Sequence, residues 1–116
     1  MHVVIVGCGR VGSSLARNLV DEGHTVSVID RKQSAFERLG TDFVGDTFAG
    51  IGFDRELLVK AGVEKAEAVA AVTNGDNSNI LVARVARETF GIDRVVARIY
   101  DPRRAAIYQR LGIATV

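Results

Sequence analysis

Apolar residues in this chain gather into short unbroken runs, separated by stretches in which they recur every three or four positions. Val3-Val4-Ile5-Val6 is such a run, as expected of a strand buried on both faces, and Val11, Leu15, Ala16, Leu19 and Val20 follow at helical spacing until Gly23. Thr25-Val26-Ser27-Val28-Ile29 predicts a second strand ending in Asp30, and residues 34–39 predict a short helix stopped by Gly40. Two segments compete for the third strand, residues 42–46 and 47–51. Asp54 then suits the N-cap of a helix reaching Gly62, with Leu57, Leu58 and Ala61 on its apolar face. Ala68-Val69-Ala70-Ala71-Val72 predicts a fourth strand, Thr73-Asn74-Gly75 a turn, and Asp76 the cap of a helix over residues 77–90, ended by Gly91. Val95-Val96-Ala97-Arg98-Ile99 predicts a fifth strand. Asp101-Pro102 opens a last helix in the favoured order of cap residue then proline, and that helix stops at Gly112. Residues 113–116 have the composition to begin a sixth strand.

Strands that alternate with helices and are apolar on both faces imply an α/β fold: a Rossmann-like, doubly wound parallel sheet with helices on both faces. The expected strand order is 3-2-1-4-5, which sets the first strand beside the fourth at the switch point. Ligands of such sheets bind outside the strand C-termini there. The sequence between the first strand and first helix fits that role. Gly7-Cys8-Gly9-Arg10-Val11-Gly12 has G-x-G-x-x-G spacing: Gly7 for the tight turn, Gly9 for close approach of a pyrophosphate, Gly12 for close packing of helix on strand. The helix N-terminus adds unpaired N–H groups and a positive dipole end. Asp30 lies about twenty residues on, where a carboxylate accepts from a ribose hydroxyl and disfavours a 2′-phosphate. Arg31 beside it is of a type that accommodates such a phosphate. Arg10 can fold toward bound phosphates, Thr73 and Asn74 reach the switch point with a hydroxyl and an amide, and Arg98 is a charge in an apolar strand that calls for a phosphate or an acid such as Asp76.

Composition narrows the function. The 116 residues suit one domain, and a net charge of +1 with both signs interspersed gives no electrostatic footprint for nucleic acid. Cys8 is the single cysteine, so no internal disulfide forms; it reads as a small residue within the glycine turn rather than a redox centre. His2 and His24 lack partners at metal-ligand spacing. The first apolar run is too short and lacks the basic flank of a signal peptide, and no run approaches a membrane span, so a cytoplasmic protein without direct membrane insertion is expected.

With the glycine turn, Asp30, Val72-Thr73-Asn74-Gly75-Asp76-Asn77-Ser78-Asn79 and Val96-Ala97-Arg98-Ile99-Tyr100-Asp101-Pro102 in place, the chain resembles the N-terminal nucleotide-binding (TrkA-N) domain of RCK proteins, the Trk and Ktr type regulators of potassium uptake. The resemblance covers essentially the whole chain. It implies that Gly7 to Gly12, Asp30, Thr73, Asn74 and Arg98 surround NAD(H), ADP or ATP. Members usually carry Gly-Asp at the end of the third strand, near the adenine; counting from Asp30 and from Ala61-Gly62-Val63 puts that pair on Gly50-Ile51. The third strand is therefore expected at residues 47–50, with Asp46 outside the site and the base held through main-chain groups or apolar contact at Ile51. The resemblance also implies continuation through a sixth strand and a C-terminal ligand domain, a homodimer or higher ring, and a membrane potassium transporter as partner. The function expected is a regulatory subunit and not an enzyme; the alternative is the cofactor-binding domain of an NAD-dependent oxidoreductase. Helix 77–90, rich in Ile80, Leu81, Val82, Ala83, Val85, Ala86 and Phe90, and the last helix, with Ala105, Ala106, Ile107, Tyr108 and Leu111, have more apolar residues than one face needs, which suggests the dimer contact.

Overall fold

The computed structural model describes residues 1–116. Its strands are β1 (His2–Val6), β2 (Thr25–Asp30), β3 (Asp46–Ala49), β4 (Ala68–Ala71), β5 (Arg94–Ala97) and β6 (Ala114–Thr115). They form one parallel sheet in the order β3-β2-β1-β4-β5-β6, so the expected five-strand order holds and the sixth strand extends it beyond β5. The connecting helices are α1 (Arg10–Asp21), α2 (Arg55–Lys60), α3 (Asp76–Arg84) and α4 (Pro102–Arg110); a 3-10 helix covers Gln33–Leu39. Helix 77–90 does not keep its α form throughout. Over Val85–Thr89 it widens into a π turn closed by the Phe90 N–H on the Val85 carbonyl at 3.3 Å.

The period of two along each strand divides the core. Val4, Val6, Ile29, Val69, Ala71, Val95 and Ala97 face one side, where Leu58 of α2 and Ile80, Val82 and Ala83 of α3 cover them. Val3, Ile5, Val26, Val28, Ala70 and Val72 face the other, against Ala16 of α1 and Leu39 of the 3-10 helix. Both faces are therefore dry, which is why the strands read as unbroken apolar runs. Burial of a Val or Ile side chain contributes about 1.5–3 kcal/mol, and these two clusters supply most of the driving force.

Two local expectations need correction. β3 begins at Asp46, one residue earlier than expected, where Asp46 pairs with Ser27; Asp30 pairs with Ala49 at the other end, so Asp46 sits away from the C-terminal strand ends. Asp54 caps α2 as expected, accepting from the Glu56 N–H at 2.9 Å, and Asp101 caps α4, accepting from the Arg103 N–H at 3.0 Å. Asp76 does not cap α3: it is the first residue of the helix, the N-cap is Gly75, and its carboxylate turns toward the β5–α4 connection instead.

Candidate functional site

Because all strands run the same way, their C-terminal ends open on one edge, and β1 and β4 part there as their chains leave to opposite faces. A crevice of about 730 Å³ lies at this point. Gly7, Cys8, Gly9, Arg10 and Val11 line it from one loop, Asp30 and Arg31 from the end of β2, Ile51 from the segment after β3, Thr73 and Asn74 from the end of β4, and Arg98 from the end of β5. Of the residues singled out from sequence, only Gly12 is not in its wall.

The three glycines do separate jobs. Gly7 has φ +108°, and a Cβ there would stand 2.8 Å from the Val72 carbonyl carbon and the Thr73 nitrogen. Gly12 is buried behind the wall: a Cβ would land on the Gly7 carbonyl oxygen, so its role is contact between α1 and the turn. Gly9 has φ −85°, an ordinary value for any residue, and a Cβ there would meet nothing within 4 Å. What Gly9 provides is empty space in front of the α1 N-terminus, whose N-cap makes no side-chain hydrogen bond, so the first-turn N–H groups face the crevice without a protein cap.

Asp30 closes the same turn. One carboxylate oxygen accepts from the Cys8 N–H at 2.8 Å and the other from the Lys32 N–H at 2.9 Å. A carboxylate offers about four acceptor directions, so two remain for a ligand hydroxyl. The Cys8 side chain itself belongs to the α1-side core and is fully buried, leaving its backbone as the part that meets the crevice. Burial, reinforced by the Asp30 charge, pushes the thiol above its usual pKa and keeps it protonated, which opposes nucleophilic or redox use.

The end of β4 is held by the last residue of the Val72–Asn79 segment, to which the sequence by itself assigned no separate role. Asn79, fully buried on α3, accepts from the Thr73 N–H at 2.9 Å and from the Thr73 hydroxyl at 2.7 Å, and donates to the carbonyls of Thr73 at 3.0 Å and Arg98 at 2.7 Å. All four amide sites are used. The Thr73 hydroxyl proton is therefore spent inside the fold, and Thr73 meets a ligand only as a part of the wall. Asn74 is exposed at the rim. The available signal was an amide one turn into α3, where Asn79 can reach back past the helix start at Asp76 to Thr73 in the preceding turn.

Arg98 does not find its partner in Asp76. Its guanidinium lies 4.9 Å from the centre of the Tyr100 ring, over its face, while Asp76 accepts from the N–H groups of Tyr100 at 2.8 Å and Asp101 at 3.0 Å. Those two backbone donors hold the Asp76 carboxyl below its ordinary value of 3.8. Folding thus favours the ionised form, so the contribution is complete above pH 3.8 and is lost as pH falls through the lower folded value. Asp76→Asn should accordingly reduce the melting temperature at neutral pH, with the gap to wild type narrowing in acid melts below pH 3.8.

The crevice is also more cationic than the sequence indicated. Lys32 and Arg38 join Arg10, Arg31 and Arg98 in its lining, against the single carboxylate of Asp30. None of the five is in an ion pair; the pairs within 4 Å are His24–Glu22 and Arg84–Glu88. Five cations around one acid make the crevice electropositive. Gly50, Gly52 and Phe53 surround Ile51, giving an apolar ledge for a flat group.

A family model described as the TrkA-N domain matches residues 3–116. The chain is 64% identical over 116 residues to the Trk system potassium uptake protein TrkA of Streptomyces coelicolor, an overlap of 100% of this chain and 52% of that protein. Among solved structures it is similar to the Kef CTD of Shewanella denitrificans in AMP bound form, with a TM-score of 0.86 and 26% identity over 100% of this chain and 70% of that one. It is similar too to the GsuK RCK domain, with a TM-score of 0.80 and 26% identity over 99% of this chain and 24% of that one. The chain spans about half the length of the curated relatives it matches.

Proposed function

The chain belongs to the TrkA-N domain family, and from that premise we propose that it is the nucleotide-binding regulatory domain of a potassium uptake system, taking NAD(H), ADP or ATP and passing the bound state to a membrane transporter. The observation that carries this reading is the pairing of an unobstructed Gly9 and uncapped α1 N-terminus with Arg10 and Arg98 across one crevice, a seat for a diphosphate. Asp30 would accept from the adenosine ribose, and the Ile51 ledge would take the base. The AMP named with the Kef domain and the potassium uptake named for TrkA point the same way. Binding is for sensing, without turnover of the nucleotide. No helix is long and apolar enough to cross a membrane; the domain would act in the cytoplasm, at the inner face of the membrane through its transporter.

The test is calorimetric titration with NAD+, NADH, ADP and ATP, with Asp30→Ala as the variant. Loss of a charge-assisted hydrogen bond of about 1.5–3 kcal/mol predicts affinity lower by roughly 10- to 100-fold. Unchanged affinity would remove the carboxylate from the ribose; no binding of any of the four would remove the reading.

The regulatory reading includes a dimer, and the structure redraws its surface. Ile80, Val82, Ala83 and Ala86 go into the chain's own core, and Val85, Phe90, Ala105 and Tyr108 pack against it. What remains exposed is Leu81 at 44%, Ala106, Ile107 at 54% and Leu111 at 61%, with Ile107 and Leu111 one turn apart. Ile107→Glu, which spares the packed Tyr108, should yield monomer in light scattering at concentrations where the wild type is dimeric, with nucleotide affinity retained.

A further inference from the structure

Of the four asparagines in the chain, the fold leaves one in a different situation from the rest. Asn18 lies in the middle of α1, where the N–H that follows it belongs to the helix ladder. Asn77 is in α3, and its Oδ1 accepts from the Arg104 guanidinium at 2.6 Å. Asn79 is buried with every amide site bonded. Asn74 instead lies outside every helix and strand, exposed at the crevice rim, and it is the one asparagine followed by glycine. That glycine is loosely held. The Gly75 N–H reaches the Thr73 hydroxyl at 3.3 Å, longer than a good hydrogen bond, and with no Cβ on Gly75 nothing shields its nitrogen from the preceding carboxamide.

We propose that Asn74 modifies itself: the Gly75 nitrogen attacks the Asn74 side-chain carbonyl carbon, ammonia leaves, and the aspartate or isoaspartate that results weakens the crevice for anionic ligands. In the first step the Gly75 nitrogen gives its proton to solvent and bonds to Asn74 Cγ, while the Cγ–Nδ2 bond breaks and the amide nitrogen departs as ammonia. In the second, water opens the cyclic imide at either carbonyl. One opening leaves an ordinary aspartate; the other carries the main chain through Cβ and adds a methylene to the backbone. No oxidation state changes, and water is the only co-reactant. Both products ionise at neutral pH and set a second carboxylate in a lining whose one acid is Asp30. The isoaspartate also lengthens the link from Thr73 to Gly75, whose carbonyl accepts from the Asn79 N–H at 3.1 Å. The chemistry is independent of what the crevice binds, whereas its effect on affinity rests on the nucleotide-binding reading.

Protein held in warm, mildly alkaline buffer and then digested with trypsin tests the chemistry, because cleavage after Lys65 and Arg84 releases residues 66–84 with Asn74, Asn77 and Asn79 together. Mass spectrometry should find a gain of one mass unit at residue 74 and none at 77 or 79, and an isoaspartyl methyltransferase should label aged protein but not fresh. Gly75 has an ordinary φ of −111°, and a Cβ there would meet only the Ser78 hydroxyl at 3.8 Å, so Gly75→Ala fits the fold. That variant should slow the gain about tenfold. No gain at residue 74, or a gain as fast in Gly75→Ala, would overturn the proposal. For the consequence, ADP is titrated into fresh protein, into the aged fraction separated by anion exchange, and into Asn74→Asp. One added negative charge predicts affinity about fivefold lower in the last two at low salt. Equal affinity in all three would overturn the effect on the crevice. ADP that fails to bind fresh protein would overturn the nucleotide reading, and the mass gain would then still support the modification.

Discussion

Asn79→Leu will lower the stability of this domain by about 3 kcal/mol or more, although the substitution adds apolar volume to an α/β core and removes no charge. The Thr73 N–H, the Thr73 carbonyl and the Arg98 carbonyl all lose their partner. Each unsatisfied backbone group costs about 1–3 kcal/mol, at the low end here because Thr73 and Arg98 are only half-buried and water can reach them. For a domain of this size that is a drop in melting temperature of more than about 10 °C. Asn79→Asp separates hydrogen bonding from shape. The introduced carboxylate keeps the volume and the two acceptor bonds, and turns its second oxygen on two carbonyls that lay 3.0 and 2.7 Å from the amide nitrogen. Burial and those carbonyls raise the folded pKa of that group above the ordinary carboxylate value. Its destabilisation is then full at pH 7 and recedes as pH falls through the raised folded value, so melts of the two variants should converge with wild type differently: Asn79→Asp partly recovers in mild acid and Asn79→Leu does not. A wild-type-like melt for Asn79→Leu would show that the β4 and β5 ends do not need this tie.

The second large effect separates two glycines three residues apart. Gly12→Ala puts a methyl group on the Gly7 carbonyl oxygen, and relief requires α1 to move off the turn. Overpacking of this kind costs about 1–3 kcal/mol, and more where backbone rather than a side chain must yield. A Cβ on Gly9 meets no atom within 4 Å and its φ is ordinary, so Gly9→Val should cost less stability than Gly12→Ala, only the loss of a glycine N-cap. Its side chain nevertheless stands where a phosphate would approach the N–H groups of α1. Loss of two charge-assisted bonds of about 1.5 kcal/mol each predicts roughly 100-fold weaker nucleotide binding. Chemical denaturation and titration on both variants check the contrast: the larger stability loss belongs to Gly12→Ala, and lost binding in a folded domain belongs to Gly9→Val. Normal affinity in Gly9→Val would place the phosphates elsewhere.

The sequence by itself determined the fold class, the strand order and most of the crevice wall. Each of these follows from local chemistry: unbroken apolar runs can be satisfied only in a sheet covered on both faces, helices after every strand force parallel crossovers, and parallel strands bring all their C-terminal ends to one edge. Once the order was known, Gly7, Asp30, Thr73 and Arg98 had to converge, because each terminates a strand or lies within two residues of its end. Tertiary structure alone decided what those side chains do on arrival. Asp30 reads in sequence as a free acceptor, yet it binds two backbone N–H groups; Thr73 reads as a ligand donor, yet its proton goes to Asn79; Asp76 reads as a helix cap, yet it holds the N–H groups of Tyr100 and Asp101. The reason is that a polar side chain at a strand end has several partners within reach, some more than twenty residues away in the chain, and only their packed positions select among them. The same holds for the apolar surplus on α3, most of which the core absorbed, and for Lys32 and Arg38. As residues of a polar 3-10 segment they were unremarkable until the fold laid them along the far side of Asp30.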